Sequence, residues 1–306
     1  MTSLDDTMAG GPAHVAGRPA FLDDFSGGLD AHGDGARWDL RAAGALPAGD
    51  GTARPTPGGL VVDPTARHPG TGEPSWAFGD MPGTGEDHMR WRAIPRHTAS
   101  SGFPGFDVTG TLTVRSEMAA EAFGVAGHPF GAGVADPDTD LRLAAGALIA
   151  ADVETRLVLN LSLTNRRVYA LYERFAQGPD DPTAFCRAVP VADRTPGQAH
   201  RLALGYDRTT GTARWWVDGA EVLTVDRIGG HGPADRGRLL IGADGVEEAI
   251  RPRQLLTGYA CFTLLNAAGP DGGPPLEPQG GSAARPSLWG QGVRLTLKDF
   301  GVYVTD

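Results

Sequence analysis

The sequence predicts an all-β fold, and three observations carry this prediction. Glycine and proline occur 45 and 24 times in 306 residues, which favours many turns between short strands. Apolar and polar residues alternate over several segments, as they do in half-buried strands. The pair Asp218-Gly219 stands between two apolar runs, a strong sign of a β-hairpin, because a type I′ turn needs positive φ at both central residues. We expect one domain over 20–306, after a disordered segment over 1–19.

Charge and hydropathy narrow the range of partners. The formal net charge is −10, so the chain repels phosphate backbones and nucleic acid is not an expected partner. There is no run of 18 apolar residues and no Lys/Arg-rich run, and no membrane association is therefore expected. The sequence opens with acidic residues instead of the basic segment of a signal peptide, which predicts a cytoplasmic protein. Cys186 and Cys261 are then expected to be free thiols, and the oligomeric state stays open.

The strand predictions follow the alternation along the chain. Two Pro/Gly-rich stretches, 64–105 and 267–287, are expected to be long loops. A short helix is expected near 247–256. Residues 157–175 read as two strands around a turn at 164–166, with leucines on one face and Val158, Asn160 and Ser162 on the other. The other predicted strands lie in 21–25, 38–44, 58–63, 109–124, 201–207, 211–225, 238–244, 259–266 and 293–304.

Two adjacent tryptophans precede the Asp-Gly pair. Successive side chains of a strand point to opposite faces, so one indole should fill the core and the other should lie outside. The exposed ring, Trp216 beside Arg214, is either a stacking platform for a sugar or aromatic ring, or is covered by the 64–105 loop. A two-residue hairpin would place Trp215, Val217, Ala220 and Val222 on one face, and Arg214, Trp216, Glu221 and Leu223 on the other.

Residues 197–225, with an aromatic pair followed by Val-Asp-Gly, resemble the late core strands of concanavalin A-like jelly rolls. The opening FLDDFSGGLD and the final LKDFGVYV are also similar to that superfamily. More narrowly, the layout resembles a bacterial family of intracellular proteins with this fold. The resemblance implies a jelly-roll sandwich of two antiparallel sheets with long loops, and a concave outer face where lectins and glucanases of the superfamily bind sugars. That groove is the expected ligand site.

Retaining glucanases of this superfamily carry Glu-x-Asp-x-Glu on one strand. The nearest match here is 150–154, Ala-Ala-Asp-Val-Glu, where alanine stands at the position of the nucleophile. Double displacement by two close carboxylates is therefore excluded through this segment.

Several side chains are candidates for acid/base work. Arg115, Glu117 and Glu121 fall on one face of their strand, which is either a solvent face with ion pairs or the polar wall of a groove. Glu173 and Tyr172 point to opposite sides of theirs, so one pocket cannot contain both.

Other polar residues suggest binding. Asn160 and Ser162 interrupt an apolar strand, and buried polar groups need partners. His88 follows two acids in the first long loop and is an acid/base or cation site, or plain surface. The acidic runs 21–24 and 244–248 could hold a structural Ca²⁺. No phosphate-loop or dinucleotide motif is present, so no redox cofactor or nucleotide is expected.

Together these residues favour an enzyme without a redox cofactor. It would catalyse a cyclisation, isomerisation or hydrolysis of a small, partly apolar metabolite, with secondary-metabolite biosynthesis as the setting. The alternatives are a lectin-like carbohydrate-binding module and a divergent glycoside hydrolase. The candidate catalytic residues are Glu117, Glu121, Glu173 and His88, and the candidate substrate-binding residues are Arg115, Asn160, Ser162, Tyr172, Arg214 and Trp216.

Overall fold

A computed structural model describes residues 17–40, 46, 48–77, 89–178, 181–230, 238–242, 246–265, 267, 276–279 and 288–306. Two 3₁₀ turns, Val125–Gly127 and Gly131–Gly133, are the helical elements in these ranges. The strands are β1 (Arg18–Asp23), β2 (Trp38–Leu40), β3 (Thr52–Thr56), β4 (Gly59–Asp63), β5 (Ala66–Arg67), β6 (Pro74–Ser75), β7 (Met89–Pro95), β8 (Phe106–Asp107), β9 (Thr111–Phe123), β10 (Ala145–Asp152), β11 (Leu157–Leu163), β12 (Arg167–Arg174), β13 (Phe185–Asp193), β14 (His200–Asp207), β15 (Thr212–Val217), β16 (Ala220–Val225), β17 (Arg238–Gly242), β18 (Gln254–Phe262), β19 (Gly292–Leu297) and β20 (Phe300–Val304).

The strands form two large antiparallel sheets, which confirms the predicted all-β sandwich of the jelly-roll type. The first sheet has the order β16-β15-β14-β9-β19-β4-β3, with β20 also on β9 and β1 on β20. The second has the order β17-β13-β12-β11-β10-β18-β7-β2, with β8 on β18. Consecutive strands such as β10 to β13 pair as neighbours, whereas β9, β14 and β19 meet only through long crossovers.

Alternation along the central strands builds the core between the sheets. The four leucines of β11 point inward and are fully or almost fully buried, together with Leu112 and Val114 of β9. Three tryptophans, Trp38, Trp91 and Trp215, are among the largest side chains of this core. Cys186 and Cys261 are both buried and free, as expected.

The tryptophan hairpin confirms the predicted turn and the divergence of the indoles. Asp218 and Gly219 have φ of 52° and 88°, and Trp215 is fully buried while Trp216 is half-buried on the outer face of the first sheet. The predicted register holds for Val217–Ala220 and Trp216–Glu221 and then breaks at a bulge, because Trp215 pairs with Leu223. The predicted faces of Val222 and Leu223 are therefore wrong: Leu223 joins Trp215 in the core, and Val222 is only half-buried.

Other element predictions need correction. The predicted loop 64–105 contains β7, which pairs with β18 and β2 inside the second sheet. The predicted helix near 247–256 is wrong, since 246–253 has no regular structure and β18 begins at Gln254. The strands β10 and β13 were not predicted. Most of the second long loop, 267–287, lies outside the described residues.

Candidate functional site

The outer face of the second sheet is apolar, with a few polar side chains. Its aliphatic residues form a second buried cluster that is separate from the core between the sheets. On β11 the outward positions are Val158, Asn160 and Ser162, as predicted from the alternation. The strand is anchored from behind, because the Trp215 indole N–H donates a hydrogen bond of 3.0 Å to the Asn160 backbone carbonyl. One residue therefore contacts the first sheet through its backbone and faces outward through its side chain.

Glu173 of β12 lies on the same outer face. Its register partners are Val158 on β11 and Cys186 on β13. Only 8% of the residue is exposed, and the Cys186 thiol beside it is completely buried. Asn160 pairs with Leu171, two residues before Glu173, so the amide and the carboxyl are diagonal neighbours across the strand pair. Such diagonal positions are about 7–8 Å apart, within reach of one small ligand.

A cavity of ≈ 280 Å³ opens on this face. Small-molecule sites run from roughly 300 Å³ upward, so the ligand it fits is small. Small residues on β10 and β18, Ala151 and Ala260, leave room that larger side chains would fill. The apolar part of its wall includes Met89, Ile149, Ala151, Val158, Leu171, Phe175, Leu256, Ala260, Phe262 and Leu264.

The environment of the cavity shifts the pKa of Glu173 into the neutral range. Burial raises its pKa to about 7, while a hydrogen bond with the Cys186 thiol acts in the opposite direction. Burial also raises the pKa of Cys186, and the neighbouring carboxyl adds to that shift. The thiol is therefore protonated and unreactive at neutral pH, and it serves as a hydrogen-bond donor to Glu173. A carboxyl with a pKa near 7 can both give and take a proton under physiological conditions.

Two polar atoms at or beside the cavity have no partner within the described part of the chain. They are Oδ1 of Asn160 and Oγ of Ser162, on residues that are 7% and 0% exposed. A buried polar atom without a hydrogen bond is unfavourable unless a water or ligand supplies one. Asn160 lines the cavity, whereas Ser162 lies two residues further along β11 and is not part of its wall, so the Asn160 oxygen is the unpartnered acceptor that a ligand could reach.

The other charged groups at the cavity are engaged. Arg156 pairs with Asp181 and donates to the Phe175 carbonyl. Asp152 accepts hydrogen bonds from Thr155 and from Gln254, whose side-chain amide lies 2.5 Å away. These residues close one end of the cavity and hold the turn after β10.

The glucanase-like segment does not form a pair of catalytic carboxylates. Asp152 ends β10, while Glu154 follows in the turn and is bound through both oxygens to Arg253. This salt bridge lowers the pKa of Glu154. The segment is a structural corner, in agreement with the alanine at its first position.

The remaining predicted residues of β9 lie on the outer face of the first sheet, away from this cavity. Arg115 donates to the Tyr303 hydroxyl at 2.6 Å and lies over that ring. Glu117 pairs with Lys298 at 3.1 Å and Glu121 with Arg294 at 3.7 Å. Their positions match a solvent face with ion pairs, and none of the three lines the cavity with Glu173.

Three of the four other predicted residues also lie away from this cavity. Tyr172 faces the core, as its opposition to Glu173 requires; its hydroxyl donates to the Gly230 carbonyl and accepts from the Gly229 N–H, so its assignment to substrate binding is corrected. Trp216 and Arg214 share the outer face of the first sheet, where Arg214 faces Glu221 at 3.6 Å. His88 lies outside the described residues.

No cluster of three or more His, Cys, Asp or Glu side chains that could hold a metal ion occurs within the described ranges. In the first acidic run, Asp23 binds the Trp38 indole N–H at 2.8 Å and also Arg37. In the second, Glu248 pairs with Arg174, while Asp244 lies outside the described residues. No helix in the described ranges is long and apolar enough to cross a membrane.

Sequence reasoning found Asn160, Ser162 and Glu173 but did not bring them together. It missed Cys186 and the walls supplied by β10 and β18. The sequence does contain a signal for this site. Tyr169, Leu171 and Glu173 share the outer face of β12, so a single acid stands among large, mostly apolar side chains there.

Comparisons with known proteins give relatives of low identity. "Uncharacterized protein L829" of Acanthamoeba polyphaga mimivirus is 27% identical over 186 residues, covering 42% of this chain and 42% of that protein. The chain thus spans less than half the length of the curated relative it matches.

Among solved structures, a Crh5 transglycosylase in complex with NAG has a TM-score of 0.44 and 14% identity, covering 94% of this chain and 84% of that one. A Bacillus licheniformis β-glucanase has a TM-score of 0.44 and 10% identity, covering 94% and 99%. The Emp47p carbohydrate recognition domain has a TM-score of 0.42 and 7% identity, covering 91% and 93%. Identities of this size concern the fold alone, and such TM-scores support no statement about activity.

A family model covers almost the whole chain. It matches residues 22–306, and with them both sheets and the cavity. The chain belongs to this family, which is described as a family of unknown function (DUF6081).

Proposed function

We propose that this protein is an enzyme that uses acid/base chemistry, without a redox cofactor, on a small and partly apolar molecule bound on the outer face of the second sheet. The observation that carries the proposal is a buried carboxyl, Glu173, at the wall of a mostly apolar cavity. Perturbed titratable groups in such cavities are candidates for function.

Glu173 would act as the proton donor or acceptor. With a pKa of about 7 it is present in both protonation states at neutral pH, the condition under which a general acid or base is most effective. Asn160 would orient a polar group of the substrate. The aliphatic walls exclude water, which strengthens electrostatic interactions inside the cavity. Cyclisation, isomerisation and hydrolysis are all reactions that one such group can promote.

The test is a ligand-observed NMR screen of small amphipathic molecules, followed by turnover assays on the hits. We expect hits to bind the native protein and to lose binding in Ala151→Phe, because the added ring fills the cavity. Thr296→Phe is the matched control, since it places the same ring on the exposed outer face of the first sheet. Unchanged turnover in Glu173→Gln would contradict the acid/base role.

Carbohydrate binding is the second candidate, and one observation favours it. The six-membered ring of Trp216 lies over Gly205 on the outer face of the first sheet: a Cβ built at Gly205 would come within 2.8 Å of it. An indole supported in this way can stack against a sugar. A glycan array would support this candidate if binding were present in the native protein and lost in Trp216→Ala.

A divergent glycoside hydrolase has less support. That chemistry uses two carboxyl groups on either side of the scissile bond. The described carboxyl groups at the cavity belong to Glu173 and Asp152, and the latter is held by Thr155 and Gln254.

We also propose a cytoplasmic setting and an intracellular bacterial family, with a secondary metabolite as substrate. The two free cysteines support a reducing compartment. Fractionation of the native host would test the setting: protein recovered with the secreted or envelope fraction would contradict it.

A further inference from the structure

The cavity contains an acid that lacks a cationic partner. Within the described part of the chain, the hydrogen-bonding partner of Glu173 is the Cys186 thiol, and its other register neighbour is Val158. Of the two arginines that line the cavity, Arg156 already pairs with Asp181, and neither it nor Arg92 is among the groups that shift the pKa of Glu173. A buried carboxylate is strongly unfavourable unless a positive charge accompanies it. In the ionised state, Glu173 therefore has an unmet requirement that a ligand could meet.

The polar atoms near Glu173 that lack a hydrogen-bond partner are oxygen atoms that can accept a hydrogen bond, as its carboxylate can. Oδ1 of Asn160 accepts hydrogen bonds and has no donor, and Ser162 follows two residues later on the same face with its Oγ also unpartnered. Glu173 and Asn160 are diagonal neighbours, so both can reach one small group. An ammonium group has three N–H donors and no acceptor, which matches this set of oxygen atoms.

The rest of the cavity selects the body of the ligand. Ile149, Leu171, Leu256 and Phe262 offer no hydrogen bonds, and the volume of ≈ 280 Å³ admits only a small molecule. A sugar would leave several hydroxyl groups unsatisfied against these walls, and a carboxylate ligand would be repelled by an ionised Glu173.

We propose that the cavity binds a small apolar amine, with its protonated nitrogen between the Glu173 carboxylate and the Asn160 side chain and its hydrocarbon body against the aliphatic wall. This inference rests on the proposed function, since it names the class of substrate for the same cavity.

The proposal fixes the proton balance of binding. Alkyl amines titrate near the lysine value of about 10.4 and enter as ammonium ions at neutral pH. Glu173 is partly protonated in the empty cavity, because its pKa is about 7, and it must lose that proton to pair with the ligand. The proton passes to the buffer, the ammonium keeps its own, and no covalent bond changes. The number of protons released for each amine bound is therefore near one below pH 7 and falls towards zero above pH 7.

Few other groups can contribute to this proton release. Among the side chains that the structure describes, the titratable or charged groups that face Glu173 or share its cavity are Cys186 from β13, Arg92 from β7, Asp152 from the end of β10 and Arg156 from the turn that follows. From β11 the facing side chain is Val158, which carries no charge.

The experiment uses three probes of one shape: cyclohexylmethylamine, cyclohexylmethanol and cyclohexanecarboxylate. Isothermal titration at pH 7 on the full chain, in phosphate and in Tris buffer, gives the affinity and the protons released. We expect the amine to bind about tenfold more tightly than the alcohol or better, with roughly half a proton released, and the carboxylate to bind more weakly than both. The proton count needs no variant, so it stands even if a substitution at Glu173 prevents folding.

The matched variants are Glu173→Gln and Glu117→Gln, an acid-to-amide change on the outer face of each sheet. The first should remove the preference for the amine and leave the alcohol unchanged; the second should alter neither. If amine and alcohol bind equally well to the native protein, or no proton is released, the amine proposal is overturned while the cavity remains a small-molecule site. If none of the probes binds, and the molecules found in the NMR screen do not bind either, the proposed function fails with it.

Discussion

The outer faces of the two sheets are built from the same alternation and yet are opposite in character. On the first sheet, Glu117 and Glu121 are partly exposed and each lies against a cationic side chain. On the second, Glu173 is 8% exposed and is accompanied by a thiol. A carboxylate that lies beside water and a cation has little effect on the free energy of folding, whereas a buried carboxylate without a cation is strongly destabilising. Such a cost on a single face of the molecule indicates where function, rather than stability, determines the sequence.

The sharpest test of this contrast introduces a charge on each face. Leu171→Asp buries an unpaired acid on the second sheet, where Leu171 is 1% exposed, and should lower the free energy of unfolding by about 3–5 kcal/mol. Thr296→Asp on the exposed face of the first sheet should cost under ~0.5 kcal/mol. Urea unfolding monitored by circular dichroism measures both. Equal costs would mean that the two faces do not differ in burial.

The second test uses pH. Because the pKa of Glu173 is about 7 in the folded chain and its ordinary value is 4.5, the folded state binds more protons between these pH values, so stability falls as pH rises from 4.5 through 7 and is constant above. Glu173→Gln removes this dependence. It should raise the free energy of unfolding by about 3 kcal/mol at pH 8 and by under ~1 kcal/mol at pH 5.

The control for the pH test is Glu117→Gln. This residue pairs with the exposed Lys298, so the change should be under ~0.5 kcal/mol at either pH. A Glu173→Gln variant that is less stable than the native protein at pH 8 would contradict the unpaired state of the buried acid.

The smallest expected effect concerns the half-buried ring on the first sheet. Trp216→Ala should cost about 1 kcal/mol, since the ring is only half-buried on the outer face, whereas Trp215→Ala should cost about 3–5 kcal/mol because that ring is fully buried and donates to Asn160. Thermal unfolding of both variants measures the difference. Similar losses would show that the first-sheet face is as closely packed as the core.

Sequence reasoning succeeded where local pattern determines structure. The alternation of LVLNLSL set both faces of β11, and Asp218-Gly219 set the turn between β15 and β16. It failed at β10, where AGALIAAD has no polar residue before the final Asp152 to reveal the alternation, and at the bulge beside Trp215.

The candidate site was found residue by residue and not as a unit. Asn160 and Glu173 were visible because each interrupts an apolar pattern. Their proximity, and that of Cys186, depends on the register of β11, β12 and β13, which a single sequence does not specify. The walls from β10 and β18 depend on strands that are distant in the chain.

The alanines at 151 and 260 give the cavity its depth, and this has a consequence for the range of ligands that substitutions could admit. Each lies on a strand that its neighbours hold in register through backbone hydrogen bonds, so exchanging a methyl group for an isopropyl or a ring would reshape the floor without disturbing the scaffold. Two codons thus set the size of molecule that this cavity accepts, independently of the acid beside its floor.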